Sequence, residues 1–244
     1  MSPFDMPPSQ PKDSHPPSSE IRALMDARQC SSENLCLVSL SHDSGKPLAA
    51  ARQAEVSQDG AIKSFTLPSG WSAGDNASGG IGQRHIERFN PPLDKSVEIS
   101  VYYRGLPISD PGAGAFQDIL KAKPAAQRPE MLTADEVRKL QEAMGTMTIG
   151  DNQYTNPSTN PRYAPVFHVN AAYTTRLNGK TVLGVEGSFV DETGKRINDY
   201  TGYFIDRDGN GKNIQEIFYQ APPDKYPRYL LKFKDSLKNN LEWN

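Results

Sequence analysis

The sequence lacks most of the features that would place it in a specialised class of protein. Only two of its 244 residues are cysteines, Cys30 and Cys36, and their spacing fits neither a zinc site nor a dithiol redox motif. No apolar run approaches the roughly 18 residues of a membrane-spanning helix. The formal net charge of −2 comes without the basic stripe of a nucleic-acid binder. These absences predict two free thiols, no membrane span and no nucleic-acid partner.

The N-terminal region lacks a basic start followed by an apolar stretch, so we expect no secretory signal peptide. The expected location is the cytoplasm, with export by a signal-peptide-independent route as the alternative. Residues 1–20 contain six prolines and five serines and little that a core could bury, which predicts a disordered tail. A targeting or docking arm is the second interpretation of this composition. Residues 21–60 are predicted to form a partly helical extension.

The folded domain is predicted over residues 61–244, and its C-terminal third has the clearest pattern. Strands are expected over residues 165–175, 181–190, 197–205 and 213–219, separated by short turns rich in Asn, Asp and Gly. Four such strands form an antiparallel meander. After Pro222-Pro223, apolar residues recur at helical spacing and predict a helix packed on one sheet face: Tyr226, Leu230, Phe233, Leu237 and Leu241.

Earlier in the domain, strands are predicted over residues 61–67, 83–89 and 96–103, with a flexible loop over 72–82. In the third of these strands, apolar residues alternate with Glu98, Ser100 and Tyr102, a period of two that is typical of a half-buried strand.

Residues 107–164 are predicted to form an insertion of two helices and a long polar loop. Asp110 is expected to cap the first helix, with Pro111 at its first helical position. The second begins with a capping box formed by Thr133 and Glu136. Together these elements predict an α+β fold, in which helices pack on an antiparallel sheet.

No catalytic constellation is recognisable in the sequence. It contains neither a His-Glu-x-x-His metalloprotease pattern nor a Gly-x-Ser-x-Gly hydrolase elbow. An enzyme of unrecognised type remains an open alternative, with Asp151, Asn152, His168 and Glu186 as its polar candidates. That alternative requires these groups to converge in one cleft.

The segment Asp206-Arg207-Asp208-Gly209-Asn210-Gly211 resembles the start of an EF-hand loop, with oxygens of Asp206, Asp208 and Asn210 at alternate positions. The twelfth position, which needs a bidentate Glu, is occupied by Ile217. A hairpin turn also prefers Asp, Asn and Gly, so a turn is the favoured interpretation and a Ca²⁺ site the alternative. No other cofactor is expected.

Aromatic and polar residues offer candidate binding positions for a protein partner. Trp71, Tyr102 and Arg104 could form a recognition patch, with core packing as the alternative role of the aromatic rings. Asn152 and Tyr154 lie in the predicted loop 150–165, and His168 faces away from Phe167 and Val169 on its strand.

The order of short motifs resembles the PsbP-like superfamily over residues 60–243. Members often open with a Phe-x-x-Pro-x-Gly-Trp segment, similar to Phe65-Thr66-Leu67-Pro68-Ser69-Gly70-Trp71, and close with an Ala-Pro … Phe-x-x-Ser-Leu helix, similar to 221–237. The N-terminal extension and the insertion depart from that pattern. The resemblance implies an α/β/α sandwich that serves as a non-enzymatic binding or adaptor module of bacterial origin, with a secretion-associated or effector role as the alternative.

Overall fold

The computed structural model of the chain describes residues 52–56, 60–74, 77–78, 85–103, 110–144, 166–238 and 240–244. All of them belong to one unit, Pro47–Asn244. Several predictions fall outside the described residues: the N-terminal tail, most of the extension, both cysteines and the loop 150–165.

The described elements, in chain order, are β1 (Gln53–Glu55), β2 (Ile62–Thr66), β3 (Ser72–Ala73), β4 (Ala77–Ser78), β5 (His85–Asn90), β6 (Glu98–Tyr103), α1 (Asp110–Ala122), β7 (Glu130–Met131), α2 (Ala134–Met144), β8 (Val166–Leu177), β9 (Lys180–Val190), β10 (Arg196–Asp206), β11 (Ile214–Ala221), α3 (Tyr226–Lys238) and β12 (Glu242–Trp243). The main sheet has nine strands in the order β3-β5-β6-β11-β10-β9-β8-β7, with β4 paired to β5. A small sheet has the order β1-β2-β12. Every pairing is antiparallel.

The predicted meander is confirmed as β8 to β11, whose strands lie side by side in chain order. Its first turn places Asn178 at φ 40° and Gly179 at φ 84°, as expected for an Asn-Gly hairpin. Successive side chains of β10 point to opposite faces. Tyr203 and Ile205 pack in one hydrophobic cluster, and Phe204 packs in the other.

Two layers cover the two faces of the main sheet. Phe233 and Leu237 of α3 pack on one face together with the small sheet. Phe116 of α1 and Leu140 of α2 pack on the other. The predicted α+β class, with helices on both sides of an antiparallel sheet, is therefore confirmed.

One part of the prediction for β6 is wrong. The alternating pattern predicted a strand with one solvent face, but Glu98 and Ser100 are buried, as Ile99 and Val101 are. The reason is that β6 lies inside the sheet, between β5 and β11, and both of its faces meet a hydrophobic cluster: Ile99 and Val101 belong to that of α3, and Tyr102 packs against that of α1 and α2. The pattern records which residues are polar, and it cannot record that a second layer covers them.

The N-terminus of α2 confirms the predicted capping box. The Thr133 backbone amide donates to the Glu136 carboxylate at 2.7 Å, and the Glu136 amide donates to the Thr133 hydroxyl at 3.3 Å. This hydrogen bonding lowers the pKa of Glu136. Two-residue strands were not predicted, because so few residues show no period. As a result, the stretch predicted as the flexible loop 72–82 contains β3 and β4.

No helix within the described ranges is both long enough and apolar enough to span a membrane.

Candidate functional site

The turn between β5 and β6 carries the most unusual residue of the described surface. We call residues 90–97 the Leu93 turn. The Asp94 amide donates to the Pro91 carbonyl at 3.3 Å, and the side-chain amide of Asn90 donates to the Val97 carbonyl at 2.9 Å. Both bonds close the turn and hold its tip, Pro92-Leu93, away from the sheet.

Leu93 combines full exposure with an unfavourable backbone conformation. Its relative exposure is 107% and its φ is 63°. Left-handed backbone costs a non-glycine residue about 1–2 kcal/mol, and the third position of such a proline-containing turn is normally Gly or Asn. A leucine here contributes neither turn chemistry nor core packing. An outlier of this kind, at a site with no structural need for it, points to function.

Asp94 fastens the Leu93 turn to the start of α3. Its carboxylate accepts hydrogen bonds from the Ser96 hydroxyl at 2.6 Å and from the Lys225 ammonium at 2.9 Å. Lys225 also donates to the Ser96 hydroxyl at 2.9 Å. The Ser96 hydroxyl, and then Lys225, lower the pKa of Asp94. The turn is thus held in one position, which reduces the entropy lost when a partner binds.

Trp71, a predicted binding residue, lies beneath this surface and not on it. Its side chain is buried and meets the ring of Tyr229 edge to face, with centroids 5.6 Å apart. The neighbouring Gly70 lies beside Pro92, since a Cβ at Gly70 would be 3.8 Å from the Pro92 ring. Trp71 therefore supports α3, and its neighbour Gly70 lies against the Leu93 turn.

Tyr102 lies on the opposite side of the main sheet from Trp71. It is half-buried and packs against the cluster of α1 and α2, whereas Trp71 belongs to the cluster of α3. The structure does not bring the two rings together. Arg104, Asn152 and Tyr154 lie outside the described residues, so their role as binding residues stays a prediction.

His168 and Glu186 lie on one face of neighbouring strands. His168 pairs with Ser188, two residues from Glu186. The Glu186 carboxylate accepts from Tyr173 at 3.1 Å and from Lys234 at 2.9 Å, while His168 is exposed and has no hydrogen bond to Glu186. Asp151 and Asn152 are not described. Among the described residues, Glu186 therefore has the surroundings of a structural ion pair between sheet and helix.

A second buried carboxylate, Glu98, is also held by neighbouring side chains. It accepts from Gln220 at 2.7 Å and from Ser100 at 3.2 Å, and Arg88 lies 3.8 Å away. Burial raises the pKa of Glu98, and the Arg88 charge opposes this. Perturbed carboxylates often mark active sites, but here Gln220 and Arg88 tie the group to neighbouring strands of the sheet.

The segment 206–211 forms the turn between β10 and β11. Asp206 accepts from the backbone amides of Gly209 at 3.1 Å and Gly211 at 2.8 Å, and Asn210 accepts from the Lys212 amide at 2.9 Å. The side chain of Asn213 donates to Asp208. The candidate ligand oxygens are thus engaged in the turn itself. In the described part of the chain, no three His, Cys, Asp or Glu side chains gather as a metal site would require. Calcium binding stays a prediction.

Sequence reasoning missed Leu93. The available signal was Pro91-Pro92-Leu93-Asp94, a turn between two strands without the glycine or asparagine that such a turn needs. Searching the predicted turns for this mismatch would have found it.

A comparison with solved structures gives several likenesses, one of them to a PsbP protein. The structure matches the solution structure of cyanobacterial PsbP (CyanoP) from Synechocystis sp. PCC 6803, with 13% sequence identity and a TM-score of 0.48 over 84% of this chain and 99% of that chain. No family model and no curated protein matches the sequence. The matched structure is a PsbP protein, and it says nothing of what this chain binds.

Proposed function

We propose that the chain is a non-enzymatic protein-binding module of the adaptor type, and that it contacts its partner through the Leu93 turn. The observation that supports this most directly is Leu93, a fully exposed leucine at φ 63°. The conformation costs about 1–2 kcal/mol and brings no contact within the described chain. A partner that buries Leu93 would explain why a leucine occupies this exposed position.

The surroundings of Leu93 support the same function. The turn is fixed by Asp94, Ser96 and Lys225, and Gly70 lies beside its Pro92. Burying a leucine side chain is favourable, and a turn already held in one position loses less entropy when a partner binds. The carboxylates of Glu98 and Glu186 are hydrogen-bonded to neighbouring side chains, which is consistent with a structural role for both.

A secretion-associated or effector role would be one form of protein binding. Identifying the partner would show whether the chain has that role. The enzyme alternative has no observation in its favour among the described residues, since His168 and Glu186 form no hydrogen-bonded pair.

The test is capture of a partner from native lysate by the full chain and by Leu93→Asn. Asparagine tolerates positive φ and removes the apolar side chain without disturbing the turn. We expect a stoichiometric protein to be retained by the wild type and lost with Leu93→Asn. Burial of the Leu93 side chain predicts about 2 kcal/mol, or roughly 30-fold in affinity.

Met131→Asn is the matched control, because Met131 is also an exposed apolar residue, at 50%, and lies on β7 at the other end of the sheet order. It should retain the partner. Equal retention by Leu93→Asn and the wild type, or no stoichiometric capture by any form, would contradict the proposal.

A further inference from the structure

The outward side of α3 carries an excess of positive charge that the rest of the chain does not share. The helix has four basic residues and one acidic residue, Asp235, in a chain whose formal net charge is −2. Lys234 is paired with Glu186 at 2.9 Å. The other three cations, Arg228, Lys232 and Lys238, are exposed and make no ion pair with any described residue.

The exposed cations fall on one stripe of the helix. Residues three and four apart are neighbours on a helix surface, and this spacing relates Arg228 to Leu231 and Lys232, and Asp235 to Lys238. We call these five residues the α3 stripe. Leu231 is 65% exposed, so the stripe presents an apolar side chain between cations.

Two of the cations are held in place by an aromatic ring. The Arg228 guanidinium carbon lies 5.1 Å from the centroid of Tyr229, and the Lys232 nitrogen lies 5.5 Å from it. Tyr229 is itself fixed by Trp71. Cation–π contacts of this kind restrict long side chains, so less freedom is lost when an anionic group binds to them.

The α3 stripe and the Leu93 turn share their supports. Lys225, one residue before α3, bonds to Asp94 and Ser96 of the turn, and Trp71 contacts Tyr229 while Gly70 lies beside Pro92. A partner that buries Leu93 therefore meets a surface whose adjoining helix is basic.

Charge complementarity selects the class of partner. Carboxylates placed opposite Arg228, Lys232 and Lys238 would neutralise the stripe, and an apolar group would cover Leu231. A lipid surface fits less well, because interfacial helices insert a broad apolar face and α3 buries its own, Phe233 and Leu237, in the core. Asp235 in the middle of the stripe is unfavourable for a phosphate backbone.

We infer that the partner is an acidic protein segment with large apolar side chains, and that it docks across the α3 stripe and the Leu93 turn. The inference rests on the proposed protein-binding function and adds the chemistry of the partner. Acidic residues of the segment face the three cations, and its apolar residues cover Leu231 and Leu93.

The experiment selects binders from a displayed library of random 12-residue peptides on the immobilised full chain. Peptides enriched on the wild type should carry an excess of Asp and Glu around large apolar residues. A synthetic copy of the best peptide should bind at least about tenfold more weakly to Arg228→Glu/Lys232→Glu, with affinity falling as salt rises. Arg228→Gln/Lys232→Gln should lie between the two.

The matched control is Arg128→Glu/Lys139→Glu, the same change of charge at two exposed cations of the α1–α2 region. It should bind like the wild type. Enriched peptides without acidic excess, or equal binding to the reversal variant, would overturn the inference. So would phosphatidylserine vesicles that bind the wild type and not the reversal variant while no peptide does so.

The two proposals fail separately. If lysate capture still depends on Leu93 but the peptides show no acidic excess, the partner chemistry is wrong and the protein-binding function stands. If capture does not depend on Leu93, the proposed function itself is wrong, whatever the peptides show.

Discussion

The turns β5–β6 and β10–β11 solve the same geometric problem with different residues. The β10–β11 turn places Gly209 and Gly211 at φ 72° and 73°, and Asp206 accepts from both amides. The β5–β6 turn places Leu93 at φ 63°. The first is built from residues that suit the backbone, so its composition is explained by folding. The composition of the β5–β6 turn is not explained by folding. The difference indicates that Leu93 was retained for a role other than stability.

The largest effect is expected at Gly211 of the β10–β11 turn, where both the backbone conformation and the space available require a glycine. Its φ is positive, and an added Cβ would lie 2.4 Å from the Ala113 carbonyl oxygen of α1. Gly211→Ala combines backbone strain with overpacking, so we expect the free energy of unfolding to fall by about 2–4 kcal/mol, measured by urea denaturation.

Gly209→Ala is the control, because its φ of 72° is similar but an added Cβ meets nothing within 4 Å. It should cost about 1 kcal/mol, from strain alone. Equal losses at the two glycines would show that the contact with α1 is unimportant.

Asp206→Ala should have the next largest effect. It removes the acceptor of two backbone amides, so we expect a loss of about 1–2 kcal/mol in unfolding free energy. Thermal unfolding in millimolar Ca²⁺ distinguishes the two interpretations of this segment, a hairpin turn and a calcium site. A rise in Tm for the wild type that Asp206→Ala abolishes would favour the calcium alternative, whereas unchanged Tm values fit a turn.

Leu93→Gly should change stability in the opposite direction. Glycine accepts φ 63° without strain, and the gain is partly offset by the greater freedom of the unfolded chain. We expect a net stabilisation of about 0.5–1 kcal/mol by urea denaturation, with partner capture lost. Destabilisation by this change would mean that Leu93 serves the fold.

The smallest expected effect is on how stability depends on pH in acid. Because the pKa of Asp94 is lowered in the folded state, its contribution is fully present above the ordinary value of 3.8 and is lost as pH falls through the folded value. Asp94→Asn should remove this acid-dependent part, worth roughly a few tenths of a kcal/mol for so exposed a pair. Measuring the unfolding midpoints of the wild type and Asp94→Asn at neutral pH and in acid tests this contribution. Identical pH profiles for the two proteins would count against it.

The sequence predicted the elements that are long or carry distinctive caps. Asn178-Gly179 marked the first hairpin turn, Thr133 and Glu136 marked the start of α2, and the spacing of Phe233 and Leu237 marked the buried side of α3. Each is a local signal that requires no knowledge of the partner element.

The rest depended on contacts that no local pattern records. Glu98 is buried because a second layer covers its face, and Trp71 supports Tyr229, which is far from it in the chain. The α3 stripe was missed for the same reason, since its connection with the Leu93 turn depends on the contact of Lys225 with Asp94. Leu93 itself has a positive φ, which turn propensities do not predict for a leucine.

The small sheet has a consequence for how the chain acquires its structure. Its central strand, β2, pairs with β12 through Ile62 and Trp243, residues from opposite ends of the described chain. Loop closure over such a separation is entropically costly and slows folding. During synthesis β2 cannot complete its hydrogen bonds until Glu242 and Trp243 have left the ribosome, whereas hairpins such as β8–β9 can already form. The small sheet is therefore expected to close last, leaving the apolar side of β2 open to chaperones until then.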